Sequence, residues 1–398
     1  MNVSKRTKNM QSSPIRKLMP YANKAKDKGI KIYHLNIGQP DIETPKQILD
    51  AYKNFDQKVV AYGPSQGLPE YRKALKKYYE KHDIDLDVDN IIVTTAGSEA
   101  ITFALIATCN PGDEVIVPEP FYTNYNGFAS VAGVKIVPLT THAEKGFRLP
   151  SKQKMTKLIS PKTKAIMMCS PGNPTGVVYT LEEIQNIVDL AKEHGLFVIS
   201  DEVYREFVYD GQKHTSILHM QYFEDHAIMV DSISKRFSAC GARIGALVSR
   251  NKDIMNSVLK LAQARLCPPT IDQYAAAASL SIPDSYMNEV KMEYKNRRDI
   301  VFSELQKIEG IICKKPKGAF YIIAKLPIKD SEHFAEWLLS DFCVDNKTVM
   351  FAPAQGFYAT PNTGMNEIRI AYVLNEQDLR DAMHILREGL KEYKRYYE

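Results

Sequence analysis

Seven short runs rich in apolar and β-branched residues recur in the first two-thirds of the chain: IIVTTA (91–96), EVIVPEP (114–120), KIVPLT (135–140), AIMMCS (165–170), LFVISDE (196–202), AIMVDSIS (227–234) and IGALVS (244–249). Between several of them lie stretches of helical period, of which SEAITFALIATCN and TLEEIQNIVDLAKEHG are the clearest. The second opens on Thr180 with Glu183 three residues later, a capping-box pattern, and stops at Gly195. Strands that are apolar throughout must be covered on both faces, and helices alternating with them supply that cover. The pattern predicts an α/β large domain over 46–284, with a mostly parallel seven-stranded sheet flanked by helices.

After about residue 284 the texture changes. A charged helical stretch, SYMNEVKMEYKNRRDIVFSELQKIEG, leads to a strand in KKPKGAFYIIAKLP. SEHFAEWLLSDFCVDN then reads as helix, NEIRIAYVL as strand and EQDLRDAMHILREGLKEYKRYY as helix. This α+β order predicts a smaller domain built from 1–45 and 285–398, with PIRKLMPYANKAKDKG as a helix packed on it. A chain of 398 residues has room for both.

Composition excludes several classes. The net charge of +5 is small for this length, and no basic block is interleaved with aromatics, which argues against nucleic acid. Six cysteines, at 109, 169, 240, 267, 313 and 343, show neither C-x-x-C nor Cys/His ligand spacing. That argues for reduced thiols, a cytoplasmic location and no metal site. The stretch MNVSKRTKNMQSSPIRK has no apolar core, so no signal peptide is expected. No apolar run approaches the ~18 residues of a membrane span.

In an open α/β sheet, ligands bind beyond the carboxyl ends of the strands. Gly97, Ser98 and Glu99 follow the first run and open a helix; PGNPTG, with Asn173, follows the fourth; Asp201, Glu202 and Tyr204 follow the fifth; Ser232, Ser234 and Lys235 follow the sixth. Taken singly, these are ordinary caps and turns. Together they support one chemistry. The helix start offers backbone N–H groups to an anion, and Ser232 and Arg243 could add a hydroxyl and a guanidinium to the same phosphate. Asp201 could pair with a protonated ring nitrogen, and Lys235 could form a Schiff base with an aldehyde. Phosphate, ring nitrogen and aldehyde together describe pyridoxal 5′-phosphate. Neither G-x-G-x-x-G after a strand nor G-x-x-x-x-G-K-[ST] is present, which argues against a dinucleotide and a nucleoside triphosphate.

Over nearly its whole length the chain resembles the fold-type I, class I/II pyridoxal-phosphate aminotransferases, near the bacterial and archaeal aspartate aminotransferase branch. The markers, in order, are LNIGQPD (35–41), AYGPSQGLPEYR (61–72), TAGSEA (95–100), PGDEVIVPEPFY (111–122), SPGNPTG (170–176), SDEVY (200–204), SISKRFSACGARIG (232–245) and NEIRIAY (366–372). The resemblance implies that Lys235 is the Schiff-base lysine and that Asp201 pairs with the pyridine nitrogen. It implies that Asn173 and Tyr204 bind the ring hydroxyl oxygen, that Tyr122 stacks on the ring, and that Gly97, Ser98, Ser232 and Arg243 hold the phosphate. Ser234 would orient the lysine. Arg369 would take the substrate α-carboxylate, with a backbone N–H from Gly38. Tyr62 would reach the phosphate of a neighbouring subunit, which implies a homodimer with shared sites.

The chain departs from the family pattern where relatives often carry tryptophan before the phosphate arginine and this sequence has Ala242. Arg236, directly after the lysine, receives no role from the resemblance. Arg16 in SSPIRKL is a candidate for a second substrate carboxylate, against the plain alternative of a surface arginine. Aspartate with 2-oxoglutarate is the leading substrate pair; aromatic amino acids, alanine and a β-lyase activity on the same fold remain alternatives. A ligand-sensing regulator with an extra DNA-binding domain is disfavoured, because the resemblance begins near residue 10.

Overall fold

The computed structural model describes residues 2–8, 10–11 and 16–397. Its strands are β1 (Lys31–His34), β2 (Ile91–Thr95), β3 (Glu114–Glu119), β4 (Lys135–Thr140), β5 (Thr163–Cys169), β6 (Phe197–Asp201), β7 (Ala227–Ser232), β8 (Ile244–Val248), β9 (Tyr321–Lys325), β10 (Lys347–Met350), β11 (Ala352–Pro353) and β12 (Glu367–Ala371). The seven apolar runs are β2 to β8, and these form one sheet of order β2-β8-β7-β6-β5-β3-β4. Neighbours from β7 to β4 pair in parallel, and β8 runs against both β2 and β7. The expected seven-stranded, mostly parallel α/β sheet is therefore present.

Both faces of the sheet are covered, and the two-residue strand period explains why the runs are apolar throughout. Val198 and Met229 enter one apolar cluster with Ile184 and Ile187 of the helix Leu181–His194. Ile199 and Val230 enter the opposite cluster with Ile101 and Phe103 of the helix Ala96–Thr108. Each fully buried aliphatic side chain here contributes about 1.5–3 kcal/mol. The helix Leu181–His194 starts as its sequence requires: Glu183 N donates to Thr180 Oγ1 at 3.2 Å, and Thr180 N donates to Glu183 Oε2 at 2.8 Å. Gly195 closes it at φ 62°.

Two expectations need correction. The run AIMVDSIS does not stay extended: β7 stops at Ser232, and Ile233–Arg236 is a single helical turn capped by the Ser232 hydroxyl. Lys235 thus stands on a turn and does not end a strand. Near the N-terminus, the helix is Met19–Asp27, with Pro20 in its first turn, later than PIRKLMPYANKAKDKG suggested. Pro14 and Ile15 lie outside the described residues.

The later part of the chain packs around β9, β11 and β12, an antiparallel sheet of order β11-β12-β9. The helix Glu376–Tyr397 covers it through Leu379, Met383, Leu386 and Leu390, spaced to share one helix face. Leu18, Ala22 and Ala25 of the N-terminal segment join the same core. The parallel pair β1 with β10, joining opposite ends of the chain, went unread in the sequence. KIYH is only four residues long and carries no pattern of its own.

Candidate active site

The carboxyl ends of β2, β5, β6 and β7 open on one edge of the sheet. Because β8 runs the other way, its amino end arrives at that edge too: Thr95 pairs with Ile244, and Ser232 with Gly245. Antiparallel β8 is what carries Arg243 to the place where the parallel strands finish. Gly245 makes the approach possible, since a Cβ there would meet Ala96 C at 2.5 Å and Asp231 O at 2.7 Å. Two non-glycine residues beside it, Ala96 and Arg243, hold left-handed backbone at φ 59° and 55°. Such strain persists where the surroundings over-determine it, often at ligand sites.

A cavity of about 510 Å³ lies at this edge, within the usual range of small-molecule sites. The phosphate candidates Gly97, Ser98, Ser232 and Arg243 line it, as do Lys235, Asp201, Asn173, Tyr204, Tyr122, Ser234, Gly38 and Arg369. Arg16 lies at it as well. Of the residues to which the resemblance gives a role, Tyr62 alone stands elsewhere, 82% exposed in the segment before the helix Pro69–Glu80.

Asp201 ends β6 with its side chain buried, and burial pushes its carboxyl up to about 6. It accepts from Tyr125 Oη at 2.7 Å and from Val203 N at 3.3 Å, and no lysine, arginine or histidine among the described residues pairs with it. Arg369 on β12 is 2% exposed and has no carboxylate partner among the described residues. Nη1 donates to Asn173 Oδ1 at 3.2 Å, Nη2 donates to the carbonyl of Asn36, and Nε has no partner. Its guanidinium lies 4.7 Å from the Tyr321 ring centroid and 4.9 Å from that of Phe357, and burial draws its pKa down. A buried carboxylate without a cation and a buried guanidinium without an anion face one cavity. Each is costly unless a ligand completes it.

Lys235 Nζ donates to Gly38 O at 3.0 Å and lies 3.7 Å from Cys240 Sγ. Gly38 itself admits no side chain, since a Cβ would fall 1.8 Å from Tyr321 Oη. Tyr204 Oη and Tyr321 Oη are 2.9 Å apart, and burial drives the Tyr204 phenol far above its ordinary range. Burial pushes Tyr122 up to about 12. At the other end of the cavity, the first amides of the helix Ala96–Thr108 have no intrahelical acceptor. The Ser232 hydroxyl is already engaged, 2.8 Å from Ile244 O and 3.1 Å from Ser234 N.

The family model "Aminotransferase class I and II" matches residues 30–386. The chain belongs to the class I and II aminotransferases. An aspartate aminotransferase of Pyrococcus abyssi is 35% identical over 403 residues, covering 99% of this chain and all of the relative. Aromatic-amino-acid aminotransferase 2 of Thermococcus litoralis is 34% identical over 404 residues, again 99% of this chain and all of the relative. Among solved structures, an alanine aminotransferase from Pyrococcus furiosus superposes with a TM-score of 0.90 at 33% identity, over 98% of this chain and all of that one.

The protein is a pyridoxal-phosphate-dependent aminotransferase of fold type I. The residues fit that cofactor: backbone amides and Arg243 offer a phosphate seat, Asp201 lacks the cation that a protonated ring nitrogen would supply, and Lys235 reaches the same space. Sequence reasoning missed Tyr125, which fixes Asp201, and Tyr321, which contacts Tyr204 and packs under Arg369. Tyr125 had a signal in its spacing of three from Tyr122 at a helix start. Tyr321 comes from β9, distant in sequence, and had none.

Proposed function

We propose that this aminotransferase moves the amino group of a dicarboxylic L-amino acid, aspartate in the first place, to a 2-oxo acid such as 2-oxoglutarate by a ping-pong cycle. The carrying observation is the unpaired, buried Arg369 facing the cavity that Lys235 enters. A guanidinium fork fixes a carboxylate in two directions, so the Cα–H bond of the substrate can be held toward Lys235 Nζ. Bound pyridoxal phosphate supplies an aldehyde for the amine and a ring that stores electrons. Lys235 would hold the cofactor through Nζ and, once freed by the substrate amine, would serve as the base and acid that moves the substrate's α-proton. Asp201 as carboxylate keeps the ring nitrogen's proton in place. Asn173, whose Oδ1 is occupied by Arg369, keeps its amide N–H groups for the ring hydroxyl oxygen, beside Tyr204. Tyr122 would cover the ring face, Gly97, Ser98, Ser232 and Arg243 would hold the phosphate, Ser234 would support the lysine turn, and Gly38 would add a backbone N–H toward the substrate carboxylate.

The choice of a dicarboxylic substrate rests on charge. Among the described residues, Lys235, Arg243, Arg369 and Arg16 line the cavity against Asp201 as the one carboxylate there. Once phosphate and α-carboxylate are assigned, Arg16 is left over, with no ion-pair partner among the described residues. The two residues that follow it are anchored, Lys17 by its pairing with Glu332 and Leu18 by burial. Similar relatives are named for aspartate and for aromatic amino acids, so their names do not choose between substrates.

The same reading gives a homodimer in the cytoplasm, with Tyr62 reaching the partner's phosphate. Val59, Val60 and Tyr62 are exposed, and their segment meets the helix that carries exposed Tyr274 where Thr270 Oγ1 donates to Ala61 O at 3.2 Å, an apolar surface suited to a second copy. It also assigns 46–284 to a large unit and 1–45 with 285–398 to a small one. Among the described residues no helix is long and apolar enough to cross a membrane.

The test is the first half-reaction across a panel of amino acids, followed by the cofactor spectrum. Aspartate and glutamate should give pyridoxamine phosphate and a 2-oxo acid fastest. Lys235→Ala should lose the lysine-linked absorbance band and nearly all turnover, and a fully active variant would sink the assignment. Arg16→Met should lower kcat/KM for aspartate by about tenfold, the value of one charge-assisted hydrogen bond, with alanine and phenylalanine within about twofold. Equal losses for all substrates would remove Arg16 from side-chain recognition. Ammonia and pyruvate from a cysteine conjugate would instead mark a lyase.

A further inference from the structure

Asp201, Ser232 and Lys235 line the cavity, and each has a sequence neighbour that does not: Glu202, Asp231 and Arg236. All three neighbours are buried, and they belong to one polar network behind the strand ends. Asp231 Oδ2 accepts from Arg236 Nη2 at 3.1 Å and from Tyr79 Oη at 2.9 Å, and its Oδ1 accepts from Ser232 N at 2.8 Å. The Arg236 guanidinium lies 3.8 Å from the Tyr78 ring centroid. Tyr78 Oη donates to Glu206 at 2.6 Å, and Glu206 also meets His82 at 3.0 Å and Lys291 at 3.1 Å. Glu202 is paired with Arg205 and accepts from Ser216 Oγ at 3.1 Å and Ile217 N at 2.9 Å. Arg205 in turn faces the Tyr79 ring at 5.3 Å. Contacts therefore run from the back of Asp201 to the back of Lys235 without entering the cavity.

Buried ion pairs rarely add net stability over apolar packing of the same volume, so a network of this size invites a geometric explanation. The turn Ile233–Arg236 supplies one. It is four residues long and is closed by Phe237 N donating to Ile233 O at 3.1 Å. A single helical turn has little stiffness of its own. Lys235 and Arg236 leave it about 100° apart, so a rotation that swings Lys235 must pull Arg236 from Asp231 and Tyr78.

We propose that Arg236, paired with Asp231 and seated on Tyr78, is a positioning residue that holds Lys235 in register with Asp201 across the cofactor. The proposal rests on Lys235 being the cofactor-linking residue. Substitution should therefore impair proton transfer more than substrate binding. With saturating cofactor, Arg236→Met should lower kcat of the aspartate half-reaction about 10- to 100-fold, the effect of a misplacement near 1 Å, with KM within about threefold. The pH at which the lysine-linked absorbance band titrates should shift, and the apoprotein should bind pyridoxal phosphate more weakly. The double variant Arg236→Met with Asp231→Asn removes the stranded charge, and its loss should match the single variant's instead of multiplying it. Arg236→Lys keeps the charge and should recover part of the rate.

A pair that is only structural would lower the melting temperature and leave kcat per bound cofactor, KM and the band titration at wild-type values; that result overturns the proposal. Should Arg236→Met fail to fold, the double variant and Arg236→Lys decide by the same readouts. A wild-type protein without the band would instead overturn the Lys235 assignment.

Discussion

In front of the β6 and β7 ends, Asp201 is a buried carboxylate with no cation beside it, and its carboxyl is pushed up to about 6. Behind the same ends, Asp231 is just as deeply buried, yet its carboxyl is held low: burial works to raise it, and Arg236 and Arg205 overcome burial. Glu202, next to Asp201 in sequence, is likewise held well below the carboxylate range by His214 and Arg205 against the pull of burial. Residue type and burial are shared, and the neighbours differ. A carboxylate without a cation marks the side that receives a ligand, and carboxylates paired with cations mark the side that carries it.

Removing Asp201 should break the contrast most severely. Asp201→Asn keeps the shape and the Tyr125 contact but loses the charge, and single-turnover rates should fall about 10²–10³-fold, the usual cost of one preorganised electrostatic partner. A loss under tenfold would place the ring nitrogen's partner elsewhere.

The next effect is a pH dependence. The folded Asp201 carboxyl titrates near 6 against an ordinary 3.8, so the apoprotein binds that proton more tightly than the unfolded chain does. Its stabilising contribution is complete below about pH 4 and is lost as pH rises through about 6, amounting to about 3 kcal/mol. A cationic ring nitrogen favours the carboxylate. Pyridoxal phosphate affinity should therefore rise up to about 100-fold over that window and level off above about pH 6. Titrating the apoprotein with cofactor at a series of pH values measures this, and a flat profile would exclude Asp201 as the partner. Asp231 is already ionised there and should contribute no slope.

The smallest effect sharpens the other unpaired ion. Arg369→Lys keeps a cation but loses the planar fork, and KM should rise about tenfold for every amino acid tried. An unchanged KM would mean that the buried guanidinium does not meet the substrate carboxylate.

How much of this was legible in the sequence varied with the range of the signal. The strands of the main sheet, the Thr180 cap and the Gly195 stop are local patterns, and each stands where its residues imply. Asp201, Asn173 and Lys235 follow apolar runs, so the rule that ligands bind beyond strand ends places them on one edge. Arg243 lies on that edge because β8 is antiparallel, which no run of residues announces. Tyr321 and the β1–β10 pair depend on contacts between distant segments. Arg236 read as featureless because the same side chain serves equally well on a wet surface, and its burial against Tyr78 is a matter of packing.

By itself the sequence determined the sheet, its helices, the family and the residues that could meet a phosphate, an aldehyde and a carboxylate. These follow from periodicity, strand-end position and motif, all short-range properties of the chain. The tertiary structure decided which charges are answered and which are left open. Asp201 and Glu202 are adjacent acids, and only the fold places Arg205 and His214 beside one while leaving the other to face the cavity without a cation. Electrostatic environment is set by what lies across space, and a carboxylate's neighbours in sequence say little about its neighbours in the core.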